Sequence, residues 1–179
     1  MLTLVIGGAA SGKSEYAEQL ILDSGVLPRC YIATMQPFDE ECRARIEKHR
    51  KMRAKKQFET VERYTGLASL ALPGQGAVLL ECMSNLTANE LYSPDGAGDE
   101  TPSAILAGVK RLAEQSREVV IVSNEVFSGG WDYANDTDRY LRVLAEVNRA
   151  LAAHADRVCE VVCGIPLYHK GGVPGRVVL

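Results

Sequence analysis

No apolar run in the 179-residue sequence approaches the roughly 20 residues that span a bilayer. The first apolar stretch, Leu2–Ile6, is too short for a cleavable leader and follows no basic region, so a cytoplasmic protein is the expectation. A disulfide framework is also missing. The five cysteines, Cys30, Cys42, Cys82, Cys159 and Cys163, are odd in number and scattered, and Cys159 and Cys163 lack the CxxC spacing of a zinc site. Reduced, mostly buried thiols are expected instead. There is no internal repeat and no linker rich in Gly, Pro or Ser between halves, so residues 1–179 are read as a single domain. Histidine is scarce, with three copies, and of these His154 and His169 fall in no pattern that suggests chemistry.

What is present begins with a glycine-rich turn. The strand-like run Leu2–Ile6 leads into Gly7-Gly8-Ala9-Ala10-Ser11-Gly12-Lys13-Ser14 and then into a segment with helical spacing, Lys13–Leu22. The order G-x-x-x-x-G-K-S between a strand and a helix is that of a phosphate-binding P-loop. Glycines let backbone N–H groups curl around an anion, and the helix adds its positive N-terminal end. Lys13 would reach the β- and γ-phosphates and Ser14 would hold Mg²⁺. The loop implies a nucleoside triphosphate without saying what is done with it.

Further along, apolar runs alternate with helical segments. Strands are expected at Pro28–Thr34, Phe58–Glu62, Ala77–Cys82, Glu118–Ser123 and Arg157–Cys163, the last as a final central strand. Helices are expected at Glu40–Ala54, Met83–Leu91, Pro102–Gln115 and Asp138–His154, with a polar loop at Tyr92–Thr101. The Gly/Pro-rich tail beyond Pro166 is left unassigned. Near-continuous apolar strands alternating with helices predict an α/β fold, P-loop NTPase-like, with a mostly parallel sheet covered by helices on both faces. Ligands of such sheets sit at the carboxyl ends of the strands. Thr34 and Glu62 stand as candidate nucleotide contacts, and the rule directs attention to Thr34, Cys82, Ser123 and Asn124. It also marks Glu81, which closes the apolar run VLLE as a Walker B carboxylate would, to bind Mg²⁺ directly or through water. Glu125, closing VIVSNE, could contact metal, orient a hydroxyl nucleophile or cap the next element.

Charge is distributed unevenly. The net charge is −3, yet residues 43–56 hold eight of the twenty Lys and Arg residues and a single acid, Glu47. A basic segment in an acidic chain suggests a local anionic ligand. No aromatic residue interleaves it to stack on bases, so no nucleic-acid partner is expected. Within it Arg45, His49 and Arg53 recur at i, i+4 and i+8, drifting only about 40° per step around a helix. Two guanidiniums flanking an imidazole can grip phosphate oxygens and keep the ring neutral and nucleophilic. The pattern taken alone favours a solvated basic helix with an idle histidine.

These motifs together resemble the bifunctional adenosylcobinamide kinase/adenosylcobinamide-phosphate guanylyltransferase family of adenosylcobalamin biosynthesis. The resemblance runs from Leu4 to about Lys170. It rests on GGAASGKS, YIAT, ARIEKHRKMR, LLEC followed by NLTANEL, SNEV, and NRALAAHADRV ending in CGIP, in that order. It implies phosphoryl transfer from ATP or GTP to adenosylcobinamide, then transfer of GMP from GTP to the resulting phosphate through a guanylylated histidine. His49 matches that histidine, and the resemblance therefore overrides the idle reading. Lys13, Arg45, Arg53 and Glu125 join it as candidate catalytic residues, with Mg²⁺ as cofactor and a homotrimer as the implied assembly. The chain departs from the family pattern after Val126, with Phe127-Ser128-Gly129-Gly130-Trp131, and at Leu141-Arg142 and Ala145. Those positions concern the corrinoid-contact region and the subunit contacts more than the nucleotide site. The alternatives are a P-loop small-molecule kinase lacking the second reaction and a nucleotide-dependent regulatory ATPase.

Overall fold

A computed structural model describes residues 1–37, 40, 43, 46, 47, 50, 53, 56–72, 74–126 and 135–172. Its elements in chain order are β1 (Leu2–Gly7), α1 (Lys13–Asp23), β2 (Arg29–Ala33), β3 (Phe58–Glu62), β4 (Ala77–Glu81) and α2 (Met83–Tyr92). They continue with α3 (Thr101–Gln115), β5 (Glu118–Asn124), α4 (Asn135–His154), β6 (Arg157–Val162) and β7 (Ile165–Lys170). The seven strands form one sheet in the order β3-β2-β4-β5-β1-β6-β7, parallel except for β7, which runs antiparallel to β6. The expected helix Glu40–Ala54 lies only partly within the described residues; positions 40, 43, 46, 47, 50 and 53 are helical.

Alternating side chains of each strand supply two cores. On one face Leu4, Ile32, Leu80 and Ile121 pack with Leu86 of α2, Ile105, Val109 and Leu112 of α3, and Leu144, Val147 and Leu151 of α4. On the other, Val5, Tyr31, Leu79, Val120 and Val122 pack under Ala17 and Ile21 of α1. Burial on both faces is why the central strands read as unbroken apolar runs in place of alternating ones. The four described cysteines are free, as expected, and burial pushes the Cys30 and Cys159 thiols up to about 11. Glu90 is a buried carboxylate satisfied by two backbone donors, Gly66 N–H at 2.7 Å and Ala97 N–H at 3.1 Å. It thereby fastens the polar loop that follows α2.

Register aligns the carboxyl ends of the parallel strands. Gly7 lies opposite Asn124, Glu81 opposite both Ala33 and Val122, and Ala33 opposite Glu62. The candidate residues at strand ends therefore share one edge of the sheet.

The carboxyl-terminal part differs from expectation. β6 is not the final strand, because the unassigned segment folds back as β7. The two residues joining them, Cys163 and Gly164, both have positive φ (50° and 79°), as a type I′ hairpin turn requires. Cys-Gly is a weaker hairpin signal than Asn-Gly, and Pro166 tells against an interior strand. At the sheet edge, where β7 lies, a proline is tolerated.

The hairpin turn supports the glycine loop. Gly164 N–H donates to Ser11 O at 2.8 Å, and a Cβ on Gly12 would stand 3.2 Å from Gly164 Cα. Gly164→Val places a β-branched residue at φ +79°, which is expected to lower stability by about 1–3 kcal/mol. Urea unfolding would measure this; an unchanged midpoint would contradict the role given to the turn.

Candidate active site

The glycine loop is built from close approaches. A Cβ on Gly7 would fall 2.5 Å from Ser11 Oγ and 2.8 Å from Val161 O, so only glycine lets β1 pass this close to β6 and to its own loop. Ala10 and Gly12 take positive φ of 54° and 89°, turning the chain back toward the start of α1. Gly12 is the N-cap of α1, and no side chain caps that end. The first-turn N–H groups are thus presented where an anion would bind. Nothing stands within 4 Å of a Cβ position on Gly8, so the loop is open on that side. Lys13 is 9% exposed and its Nζ donates to Gly8 O at 3.0 Å, which folds the ammonium over the loop.

Across the edge of the sheet stands Glu81. β5 lies between β1 and β4, so the carboxylate is two strand spacings, roughly 10 Å, from β1. α1 spans the gap: Ser14 Oγ donates to Glu81 Oε1 at 2.5 Å. The second carboxylate oxygen accepts from the Tyr31 hydroxyl at 3.0 Å. Burial first, and then the Glu81 charge, push the Tyr31 phenol far above its ordinary range, so it stays a donor. The Arg53 guanidinium lies 3.5 Å from the centroid of the Tyr31 ring, a cation–π stack with the arginine almost fully buried. Lys56, partly exposed, pairs with Glu18 of α1. These two cations of the basic segment are therefore spent on fastening it to the face of the sheet beneath α1.

The donor set at this edge suits a hard cation. Ser14 Oγ gives its one proton to Glu81 and keeps its lone pairs, and Glu81 supplies carboxylate oxygens. Among the described residues no group of three or more His, Cys, Asp or Glu side chains could form a cage. Mg²⁺ characteristically needs none, since it is held by one or two protein oxygens together with phosphates and water.

The other candidates are distributed around this centre. Thr34 is fully buried, and its hydroxyl both donates to Cys82 O and accepts from Cys82 N–H, each at 2.8 Å. It clasps the chain beyond Glu81, and its one hydroxyl proton is committed there. Glu62 is exposed at the end of β3, four strand spacings or roughly 19 Å from β1, and accepts from the Tyr64 hydroxyl at 2.9 Å. Glu125 follows β5, its backbone N–H bonded to Gly7 O at 2.9 Å. With Asn124, Asn148 and Arg149 it lines a cavity of about 200 Å³ on the α4 side of the sheet, away from α1. Arg45 and His49 lie outside the described residues. Sequence reasoning missed Tyr31 as a partner of Glu81, and the signal was a tyrosine in a strand position that packing alone would fill with phenylalanine. It also missed the join between two motifs: Ser123, buried at the end of β5, donates to Asn148 Oδ1 of α4 at 2.7 Å.

The model of the cobinamide kinase / cobinamide phosphate guanyltransferase family matches residues 3–168. The chain belongs to that family. It is 38% identical to the bifunctional adenosylcobalamin biosynthesis protein CobU of Escherichia coli K12, over 92% of this chain and 97% of that protein. The bifunctional protein CobP of Pseudomonas aeruginosa PAO1 is 33% identical, over 96% of this chain and 98% of its own. Among solved structures, the flagellar accessory protein FlaH of Methanocaldococcus jannaschii superposes with a TM-score of 0.50 at 11% identity, covering 94% of this chain and 77% of that one. The KaiC-like protein PH0186 of Pyrococcus horikoshii gives 0.50 at 12% identity, covering 89% and 71%. The fold is thus that of P-loop NTPases, as the sequence predicts. In this cobinamide kinase family member no described helix is long and apolar enough to cross a membrane.

Lys13 bonds only to a loop carbonyl, so Lys13→Ala should leave the thermal midpoint within a few degrees. Triphosphate affinity should fall about 10- to 100-fold, the worth of one charge-assisted hydrogen bond. Nucleotide titration by calorimetry would check both; unaltered binding would remove Lys13 from the site.

Proposed function

We propose that this family member runs both reactions from one triphosphate cradle. The first phosphorylates the aminopropanol hydroxyl of adenosylcobinamide, and the second transfers GMP from GTP to the new phosphate, giving adenosylcobinamide-GDP. The observation that carries the reading is the contact chain Arg53–Tyr31–Glu81–Ser14, which joins the described end of the R-x-x-x-H-x-x-x-R segment to the phosphate loop.

The loop N–H groups and Lys13 hold the triphosphate and oppose the charge that grows on the leaving group. Mg²⁺, held through Ser14 and Glu81, would neutralise phosphate oxygens and so lower the barrier to displacement. Glu125, at the same sheet edge, is suited to orient the acceptor hydroxyl from the α4 side. In the second reaction a neutral His49 nitrogen attacks the α-phosphorus of GTP. The N–P bond forms as the bond from α-phosphorus to the bridging oxygen breaks, and pyrophosphate leaves. An oxygen of the acceptor phosphate then attacks the same phosphorus, the N–P bond breaks, and the imidazole is regenerated. Arg45 would steady the phosphoryl oxygens, and Arg53 would do so if it leaves Tyr31. ATP and GTP both serve as substrates in this scheme. Support for His49 is its place in the motif order shared with the family. The assembly proposed from the same likeness is a homotrimer, acting in the cytoplasm.

A kinase without the second reaction is the competing reading, and labelled GTP separates the two. With label in the α-phosphate, the wild-type protein is expected to gain covalent label that is acid-labile and alkali-stable; label in the γ-phosphate should leave none. His49→Ala should abolish labelling and GMP transfer yet retain measurable kinase turnover, since phosphoryl transfer to a hydroxyl needs no protein nucleophile. Absence of α-label from an active kinase would remove the guanylyltransferase half.

A further inference from the structure

Tyr31 belongs neither to the phosphate loop nor to the basic segment, yet its hydroxyl touches the Glu81 carboxylate that Ser14 also holds, and its ring carries Arg53 of the basic segment. It sits in an otherwise apolar layer with Val5, Leu79 and Val122. There a hydroxyl costs free energy unless it is bonded, and phenylalanine would fill the same space without that cost. Its bond to Glu81 Oε2, at 3.0 Å, is therefore the chemical reason for a tyrosine at this position. The ring has little freedom to move. It is buried, meets Phe58 edge-on with centroids 6.4 Å apart at 88°, and carries the Arg53 guanidinium on its face.

A carboxylate bonded through one oxygen can still turn about its terminal torsion, which is soft and broad. Glu81 is bonded through both, by Ser14 on Oε1 and Tyr31 on Oε2. Its orientation then sets the direction of the Ser14 proton and hence of the lone pairs that Ser14 offers to a cation.

We propose that Tyr31 is a positioning residue for the metal site, fixing the Glu81 carboxylate so that Glu81 orients the Ser14 hydroxyl. The proposal rests on the reading of Ser14 and Glu81 as the Mg²⁺-holding pair. Groups one bond beyond a metal's own partners commonly control metal affinity by 10- to 100-fold. A phenol is protonated at neutral pH, so the effect belongs to the hydrogen bond and not to a tyrosinate charge.

Mn²⁺ serves as a spectroscopic probe for this site. Its binding to the intact protein saturated with a non-hydrolysable GTP analogue can be followed by electron paramagnetic resonance. The wild type, Tyr31→Phe, Glu81→Gln and the double variant would be compared. Tyr31→Phe removes one oxygen and keeps the ring, so the fold and the metal-free affinity for the analogue should persist within about twofold. Mn²⁺ affinity should fall about tenfold in Tyr31→Phe. The double variant should match Glu81→Gln alone within about twofold, because a residue acting through Glu81 has nothing further to lose. If Glu81→Gln weakens Mn²⁺ binding and Tyr31→Phe does not, the proposal fails while the metal reading stands. Fully additive losses would overturn it as well, since Tyr31 would then act by another route. Unchanged Mn²⁺ affinity in Glu81→Gln would overturn the metal reading and the proposal together.

Discussion

A carboxylate at the mouth of an apolar strand is tolerable only when its oxygens find partners, and at Glu81 the two partners come from different parts of the fold. Ser14 arrives from the first turn of α1, and Tyr31 from the neighbouring strand β2. The first bond bridges the space occupied by β5, so the phosphate loop and the β4 end are held at a set separation despite not being adjacent strands. The second brings in Arg53, whose guanidinium exchanges water for an aromatic face. Removing the carboxylate would therefore loosen the loop, strand β2 and the described end of the basic segment at once.

Support for the loop itself comes from the opposite side. β1 lies between β5 and β6, and the β6–β7 turn reaches over to hydrogen-bond Ser11. Gly7 and Gly12 are needed because neighbouring backbone, Val161 O and Gly164 Cα, occupies the space a Cβ would take. A P-loop glycine is usually explained by approach to phosphate. Here two of the three glycines are already required by protein packing, and only Gly8 is left open toward a ligand. The antiparallel edge strand thus supports the glycine loop through the turn that creates it.

How much of this could be read from the residues follows from the range of each interaction. The P-loop, the buried strands and the helix periodicities are local signals, and the structure keeps those within the described residues with boundaries moved by at most three residues. β7 was not legible because its evidence was a Cys-Gly turn and an edge position that only the assembled sheet supplies. The exchange between the Thr34 hydroxyl and Cys82 was not legible for a similar reason: a strand-end threonine looks available until the chain beyond Glu81 folds back onto its hydroxyl. Glu81 was legible as an acid closing an apolar run, but its partners Tyr31 and Ser14 lie 50 and 67 residues away in sequence. Arg53 was legible as part of a periodic basic face. Its burial on Tyr31 was not, since a helical pattern does not say what the helix packs against.

The division between the two sheet faces gives the bifunctional chemistry a physical basis. On the α1 side the described groups are the loop, Lys13, Ser14 and Glu81, a set suited to phosphate charge and a cation, with Arg53 stacked on Tyr31 beside them. On the α4 side the same edge carries Glu125 and Asn124 beside Asn148 and Arg149. The Ser123–Asn148 bond fixes α4 to the end of β5, and Glu125 N–H bonds Gly7 O at the start of the loop. Three consecutive residues, Ser123, Asn124 and Glu125, thus join α4 to the strand that leads into the phosphate loop. An acceptor approaching from the α4 side would meet a triphosphate held from the α1 side, with no need for the two ligands to share one surface. That arrangement would let one cradle serve two acceptors, a hydroxyl in the first reaction and a phosphate in the second, because triphosphate and acceptor would reach the same sheet edge from opposite faces.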